Sequence, residues 1–158
     1  MAKTSIVAEP NKQEIVISRT FEAPRELVFR MWTDQASIPE WWGPSVMTTV
    51  VDSLDVKKGG VWRYVQRDPA GNEYAHNGVF HEVAAPERLV HTYEFEGVPS
   101  VGLVTVTFEE LDGGRRTKLT ETSLYPSVEV RDGVLQSGMT EGAMELMDRF
   151  ADILDKQK

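Results

Sequence analysis

Between Val46 and Thr122 the chain breaks five times, and the breaks fix its architecture more tightly than any other feature. They fall at Lys57-Lys58-Gly59-Gly60, Asp68-Pro69-Ala70-Gly71-Asn72, Ala85-Pro86-Glu87, Gly97-Val98-Pro99 and Asp112-Gly113-Gly114. Each is a cluster of residues that favour tight turns, and each separates stretches whose side chains alternate in character. Six strands joined by short connections form an antiparallel meander. After Tyr125-Pro126 the period changes. A short helix is expected from about Val128 to Gln136. A longer one follows, with Met139, Ala143, Leu146, Met147, Phe150, Ile153 and Leu154 at steps of three and four. A sheet with one apolar face and a single long amphipathic helix must bury those surfaces against each other.

The segment before the meander completes the plan. Residues 1–13 read as a polar, flexible N-terminal arm, and residues 14–158 as one domain. EIVISRTF, Glu14 to Phe21, alternates as a strand with Ile15, Ile17 and Phe21 on one face. Pro24 suits the first turn of a helix whose apolar stripe is Leu27, Val28, Met31 and Trp32. A second short helix is expected from Gln35 to Trp42, stopped by Gly43-Pro44. The fold class is therefore α+β: a seven-stranded curved antiparallel sheet against a long C-terminal helix, with two short helices between the first two strands.

This order and the residues that carry it resemble the helix-grip superfamily known as SRPBCC, or START/Bet v 1-like. Within it, the chain is similar to the family of homologues of the activator of the ninety-kilodalton heat-shock protein's ATPase. The matching pieces are ISRTFEAPRELVFRMWTD, EWWGP, VKKGGVWRY, DPAGNEYAHNGVFHEVAAPERLV and SGMTEGAMELMDRFADIL, spanning about residues 14 to 155. The resemblance implies a sheet wrapped around the C-terminal helix, often with a cavity for an apolar ligand. It implies no single reaction.

Alternation assigns the inward side chains. VWRYVQ sends Trp62 and Tyr64 inward, opposite Arg63; RLVHTYEFE sends Leu89, His91, Tyr93 and Phe95; RTKLTET sends Thr117, Leu119 and Glu121. EYAHNGVFH is balanced between Tyr74, His76, Gly78, Phe80 and the alternate set ending at His81, which is expected to face solvent. An interior of Trp, Tyr, Phe and Met with a few polar points suits either a small-molecule pocket or a solid core. Four tryptophans, four tyrosines and six methionines supply more bulk and adaptability than close packing needs, which favours the pocket. The ligand-facing candidates are Trp32, Trp42, Trp62, Tyr64, His76, Phe80, His91, Tyr93, Met139, Gly142, Ala143 and Met147.

Two details sharpen the expectation. Trp41 and Trp42 are adjacent, and adjacent side chains diverge by about 100° on a helix, so the two rings cannot share one burial site. Trp41 or Trp32 is expected to staple the short helices to the sheet, leaving Trp42 for the cavity mouth. Gly138 and Gly142 lie four apart and remove volume from the start of the long helix. Room for a ligand and a break between helices are both open readings of Gly138.

The chemistry is otherwise narrow. His76, His91 and Glu121 are the inward polar set that could exchange protons, although they lie on separate strands. No nucleophile turn, zinc-binding pair or phosphate-cradling glycine loop is present, no cofactor is implied, and three scattered histidines make a poor metal site. Cysteine chemistry is excluded outright because the chain has 0 cysteines. A net charge of −8 disfavours nucleic acid and anionic membranes as partners. With no signal-like or membrane-spanning run, a cytoplasmic location is expected.

Binding of a small hydrophobic or aromatic ligand is the leading expectation. A cyclase- or hydratase-like enzyme using a pocket His and Glu is the alternative, and catalysis stays open. The resemblance suggests a third role, stimulation of a chaperone ATPase. The sequence departs there from the full-length cochaperone, with a 13-residue arm in place of a separate domain, which puts a chaperone partner in doubt. A homodimer through apolar sheet edges is a further expectation without a located interface.

Overall fold

The computed structural model describes residues 3–157; Met1, Ala2 and Lys158, at the ends of the expected arm and domain, lie outside the described residues. Two strands come first, β1 (Ser5–Val7) and β2 (Glu14–Phe21), then two short helices, α1 (Arg25–Thr33) and α2 (Ile38–Trp41). The meander is β3 (Thr48–Leu54), β4 (Val61–Arg67), β5 (Glu73–Ala84), β6 (Arg88–Phe95), β7 (Val101–Leu111) and β8 (Arg116–Leu124). Two helices end the chain, α3 (Val128–Gln136) and α4 (Met139–Lys156). All the strands form one antiparallel sheet in the order β1-β2-β8-β7-β6-β5-β4-β3.

The sheet has eight strands where the sequence suggested seven. The extra one is β1, whose Ser5, Ile6 and Val7 pair with Ser18, Ile17 and Val16. The expected arm over residues 1–13 is therefore tied to the sheet edge across this stretch. Three residues are too few to show a clear alternation, which is why the strand was hidden. The second helix is also shorter than expected, starting at Ile38 instead of Gln35. Ser37 precedes it, buried, with its hydroxyl donating 2.7 Å to the Met31 carbonyl.

Inward faces follow the alternation. Ile15, Ile17 and Phe21 on β2 and Thr117 and Leu119 on β8 are all buried. The Thr117 hydroxyl donates 2.7 Å to the Ala23 carbonyl, fastening β8 to the turn before α1. Register shifts at Val51/Ser53 and at Phe80/Glu82 mark bulges that bend the sheet. His81 falls in the second bulge and is exposed, as expected.

Helix α4 crosses the concave face, and its two halves meet different surroundings. Met147, Phe150, Ile153 and Leu154 are buried in the core, whereas Met139, Ala143 and Leu146 in the first half are only partly buried. The Phe150 ring meets Phe21, Trp32 and Trp41 edge-on at 5.2, 5.1 and 4.8 Å, and Trp32 stacks on Trp41 at 4.6 Å. This aromatic knot closes one end of the domain and answers part of the tryptophan question: Trp41 is the staple. Gly138, at φ 88°, turns the chain between α3 and α4 and so is a helix break.

Candidate functional site

Where the first half of α4 stands away from the sheet, a cavity of about 780 Å³ remains. Strands β4, β5, β6 and β8 form one wall, and α3 with the start of α4 forms the other. Eleven of the twelve residues expected to face a ligand line it: Trp32, Trp42, Trp62, Tyr64, His76, Phe80, His91, Tyr93, Met139, Gly142 and Ala143. Met147 does not. It is 1% exposed and enclosed one turn further along α4, where the helix has already met the core, and Leu146 faces the hollow instead.

Trp42 is half-buried, beside the exposed Ser45 and Val46. Its ring packs edge-on against Tyr64 at 5.1 Å, His76 at 4.8 Å and Trp62 at 6.5 Å. The turn that aims it is held from α4. Arg149 donates 2.7 Å to the Glu40 carbonyl and 2.6 Å to the Gly43 carbonyl, while the Ser45 N–H donates 2.8 Å to Glu145. Gly43 has φ 87°, and a side chain there would place its first carbon 2.0 Å from the Gln66 amide nitrogen. Only glycine fits.

Trp62 depends on a second glycine. It pairs with Gly78 across β4 and β5, where a Cβ would lie 2.4 Å from the indole nitrogen and 1.9 Å from the Thr92 carbonyl. The bare glycine lets the indole N–H reach that carbonyl at 3.2 Å.

Polar groups form two stations. At the first, His76 Nε2–H donates 3.0 Å to Gln66 Oε1, which leaves Nδ1 to accept the Tyr93 hydroxyl at 2.5 Å. Burial pulls His76 down to about 4, against a weaker upward pull from Glu96. Burial raises Tyr93 above the usual phenol range, with Tyr125 adding to the effect, and burial raises Tyr64 likewise. The ring pair is therefore neutral at physiological pH. His91 is also pulled down by burial, and its Nδ1–H donates 2.9 Å to the Thr92 carbonyl, so its Nε2 is an acceptor.

Glu121 makes the second station. It lies deep in the protein between Ile17 on β2 and Val106 on β7, yet part of its surface borders the cavity. Its carboxyl has no hydrogen bond or ion pair among the described residues. Burial pushes it up to about 7. Tyr125 beside it is raised by burial and by the Glu121 charge, although a hydrogen bond with Ser123 opposes the shift. The three proton-exchange candidates thus share one cavity, but neither histidine is bonded to Glu121. Among the described residues no cluster of His, Asp and Glu could hold a metal ion.

Several lining residues escaped the sequence reading. Gln66 has the same parity as Trp62 and Tyr64, and Tyr125 continues the parity of Leu119, Glu121 and Ser123, so alternation carried a signal for both. Val130, Val134 and Ser137 come from α3, and Val98 and Ser100 from the β6–β7 loop. No local pattern announces those.

Solved structures share this architecture. A crystal structure of a Rhodobacter sphaeroides protein matches with a TM-score of 0.89 at 24% identity, covering 98% of this chain and 99% of that one. A solution structure of an Arthrobacter aurescens protein matches with 0.87 at 25% identity, covering 96% and 91%. A Mycobacterium smegmatis crystal structure matches with 0.84 at 26% identity, covering 96% of each chain. No curated protein matches the chain. The family model described as activator of Hsp90 ATPase homolog 1-like protein matches residues 22–155, and the chain belongs to that family.

Proposed function

We propose that the protein binds a small hydrophobic or aromatic molecule between its sheet and the N-terminal half of α4. The observation that carries this reading is the cavity of about 780 Å³, inside the size range of small-molecule sites, walled by aromatic and aliphatic side chains with a few polar points. A hollow lined this way loses packing contacts unless a guest fills it. The aromatic wall around Trp42 and Trp62 suits a flat or ring-containing guest, since both indoles offer broad faces and edges.

The acid–base alternative gains no comparable support. His76 uses both ring nitrogens within the protein, and His91 and Glu121 do not bond to each other among the described residues. The family name suggests a chaperone partner, but no feature of the cavity bears on one.

The test is titration of the protein with a panel of apolar and aromatic compounds, following tryptophan fluorescence and the bound mass under native conditions. Saturable quenching with a retained one-to-one complex is expected. A protein that retains none of the panel would end the reading.

A further inference from the structure

The cavity's charge chemistry is one-sided. Among the described residues, Glu121 is its only carboxyl, and the lining contains no lysine and no arginine. Neutral donors are left open inside, the buried Trp41 indole N–H among them, but the open acceptors include the cavity's carboxyl. Glu121 has no partner, His91 Nε2 is unused, and the Tyr93 hydroxyl has committed its proton to His76. A fatty acid or other lipophilic anion would bring a second negative charge into this space with no cation to meet it. Desolvating that charge beside Glu121 is strongly unfavourable. A ligand with a cationic donor on an apolar body answers the arrangement instead.

We propose that the ligand is a lipophilic amine, its ring system against the Trp42–Trp62 wall and its nitrogen paired with Glu121. This deepens the binding role proposed above and rests on it. The pair can form by two routes with the same product: an ammonium meets the carboxylate, or a neutral amine takes the proton from the carboxylic acid. Beside apolar walls, such a charge-assisted contact is worth more than one fully exposed at the surface. The other titratable groups in the lining are Tyr64 on β4, His76 on β5, His91 and Tyr93 on β6, and Tyr125 after β8. None of them brings a positive charge at neutral pH, since both histidines are held neutral by burial. The lining residues from β2, β7, α3 and α4 carry no titratable group.

The experiment uses three probes that share one apolar body: 1-(aminomethyl)naphthalene, naphthalene-1-methanol and 1-naphthoic acid, titrated calorimetrically into the full chain. At about pH 8 the amine is expected to bind at least about tenfold tighter than the alcohol, with the acid weakest. Lowering the pH to about 5 protonates Glu121, so the amine must displace a proton and its advantage shrinks. Glu121→Gln should bring the amine-to-alcohol affinity ratio close to one. An acid that binds as tightly as the amine, or an amine preference unchanged in Glu121→Gln, overturns the proposal. Should that variant fail to fold, the wild-type pH series decides, because an amine-to-alcohol ratio constant from about pH 5 to 8 also overturns it. If none of the three probes binds, the binding role falls as well; if the alcohol binds and the amine gains nothing, only the amine assignment falls.

Discussion

Trp41 and Trp42 are neighbours in the chain and meet different surroundings. Both touch the cavity, but Trp41 is 2% exposed within the aromatic knot, while Trp42 is only half-buried and packs on Tyr64, His76 and Trp62. Gly43 ends the helix that carries them, at a positive φ that disfavours any side chain. Gly43→Ala should therefore destabilise the protein by about 1–2 kcal/mol through backbone strain. A urea midpoint equal to wild type would show that the turn relaxes freely.

Glu121 gives a pH-dependent prediction. Its folded-state value lies above the ordinary carboxyl value, so the native state holds the proton more tightly than the unfolded chain. Stability from this group is complete below the ordinary carboxyl range near 4.5 and is lost as pH rises through about 7. His76 acts in the opposite sense. Its folded value of about 4 sits below the ordinary 6.5, so its contribution is present above 6.5 and lost as pH falls through about 4. The two slopes offset each other between these limits, so the wild-type curve alone hides both. Glu121→Gln removes one of them. Relative to wild type, the variant should gain stability between about pH 5 and pH 8, by up to about 3 kcal/mol. Denaturant midpoints that run parallel across that range would contradict a buried, unpaired carboxyl.

At the scale of elements, α3 is tied to the start of the sheet by one buried side chain. Arg131 is 2% exposed and donates 2.7 Å to the Glu9 carbonyl and 3.3 Å to that of Glu14, with Asp132 beside it at 2.8 Å. One guanidinium thus joins the segment between β1 and β2 to the helix that covers the cavity. Arg131→Met keeps the aliphatic volume and removes these charged bonds, at a cost of about 2 kcal/mol. Hydrogen exchange should quicken in β1 and α3 well before it does in β5 or β6; uniform acceleration across the sheet would argue that Arg131 supports the whole core instead.

At the scale of the molecule, α4 seals a core with its second half and lines a hollow with its first. Gly142 lies on the cavity side, and a Cβ added there meets nothing within 4 Å. Gly142→Ala should stabilise the helix by about 0.5–1 kcal/mol. Gly142→Phe should fold and yet lose the uptake of naphthalene-sized probes, because the ring occupies the space a guest needs. Full uptake by a folded Gly142→Phe protein would place the ligand elsewhere.

Much of this was readable beforehand. Turn residues at five breaks and alternation between them gave the meander and its inward face, and the spacing of Phe150, Ile153 and Leu154 gave the buried side of α4. The adjacency of Trp41 and Trp42 was enough to assign them different roles. Gln66 and Tyr125 obey the same parity, but a polar side chain among apolar ones and a residue just before a proline carry little other sign of a pocket wall. Met147 was misplaced for a different reason. Helical spacing tells which face a residue shares with Ala143, but not where along that face the opposing wall closes.

The sequence by itself determined the order of the elements from Glu14 onward and the inward face of most strands, because these depend on neighbours a few positions away, and its composition alone excluded cysteine chemistry. Only the tertiary structure decided that α4 diverges from the sheet over its first turns, that α3 covers the opening, and that Glu121 is left without a partner inside. Those outcomes depend on how many distant side chains settle against one another, and a local pattern records the direction of a side chain without the distance to whatever it faces.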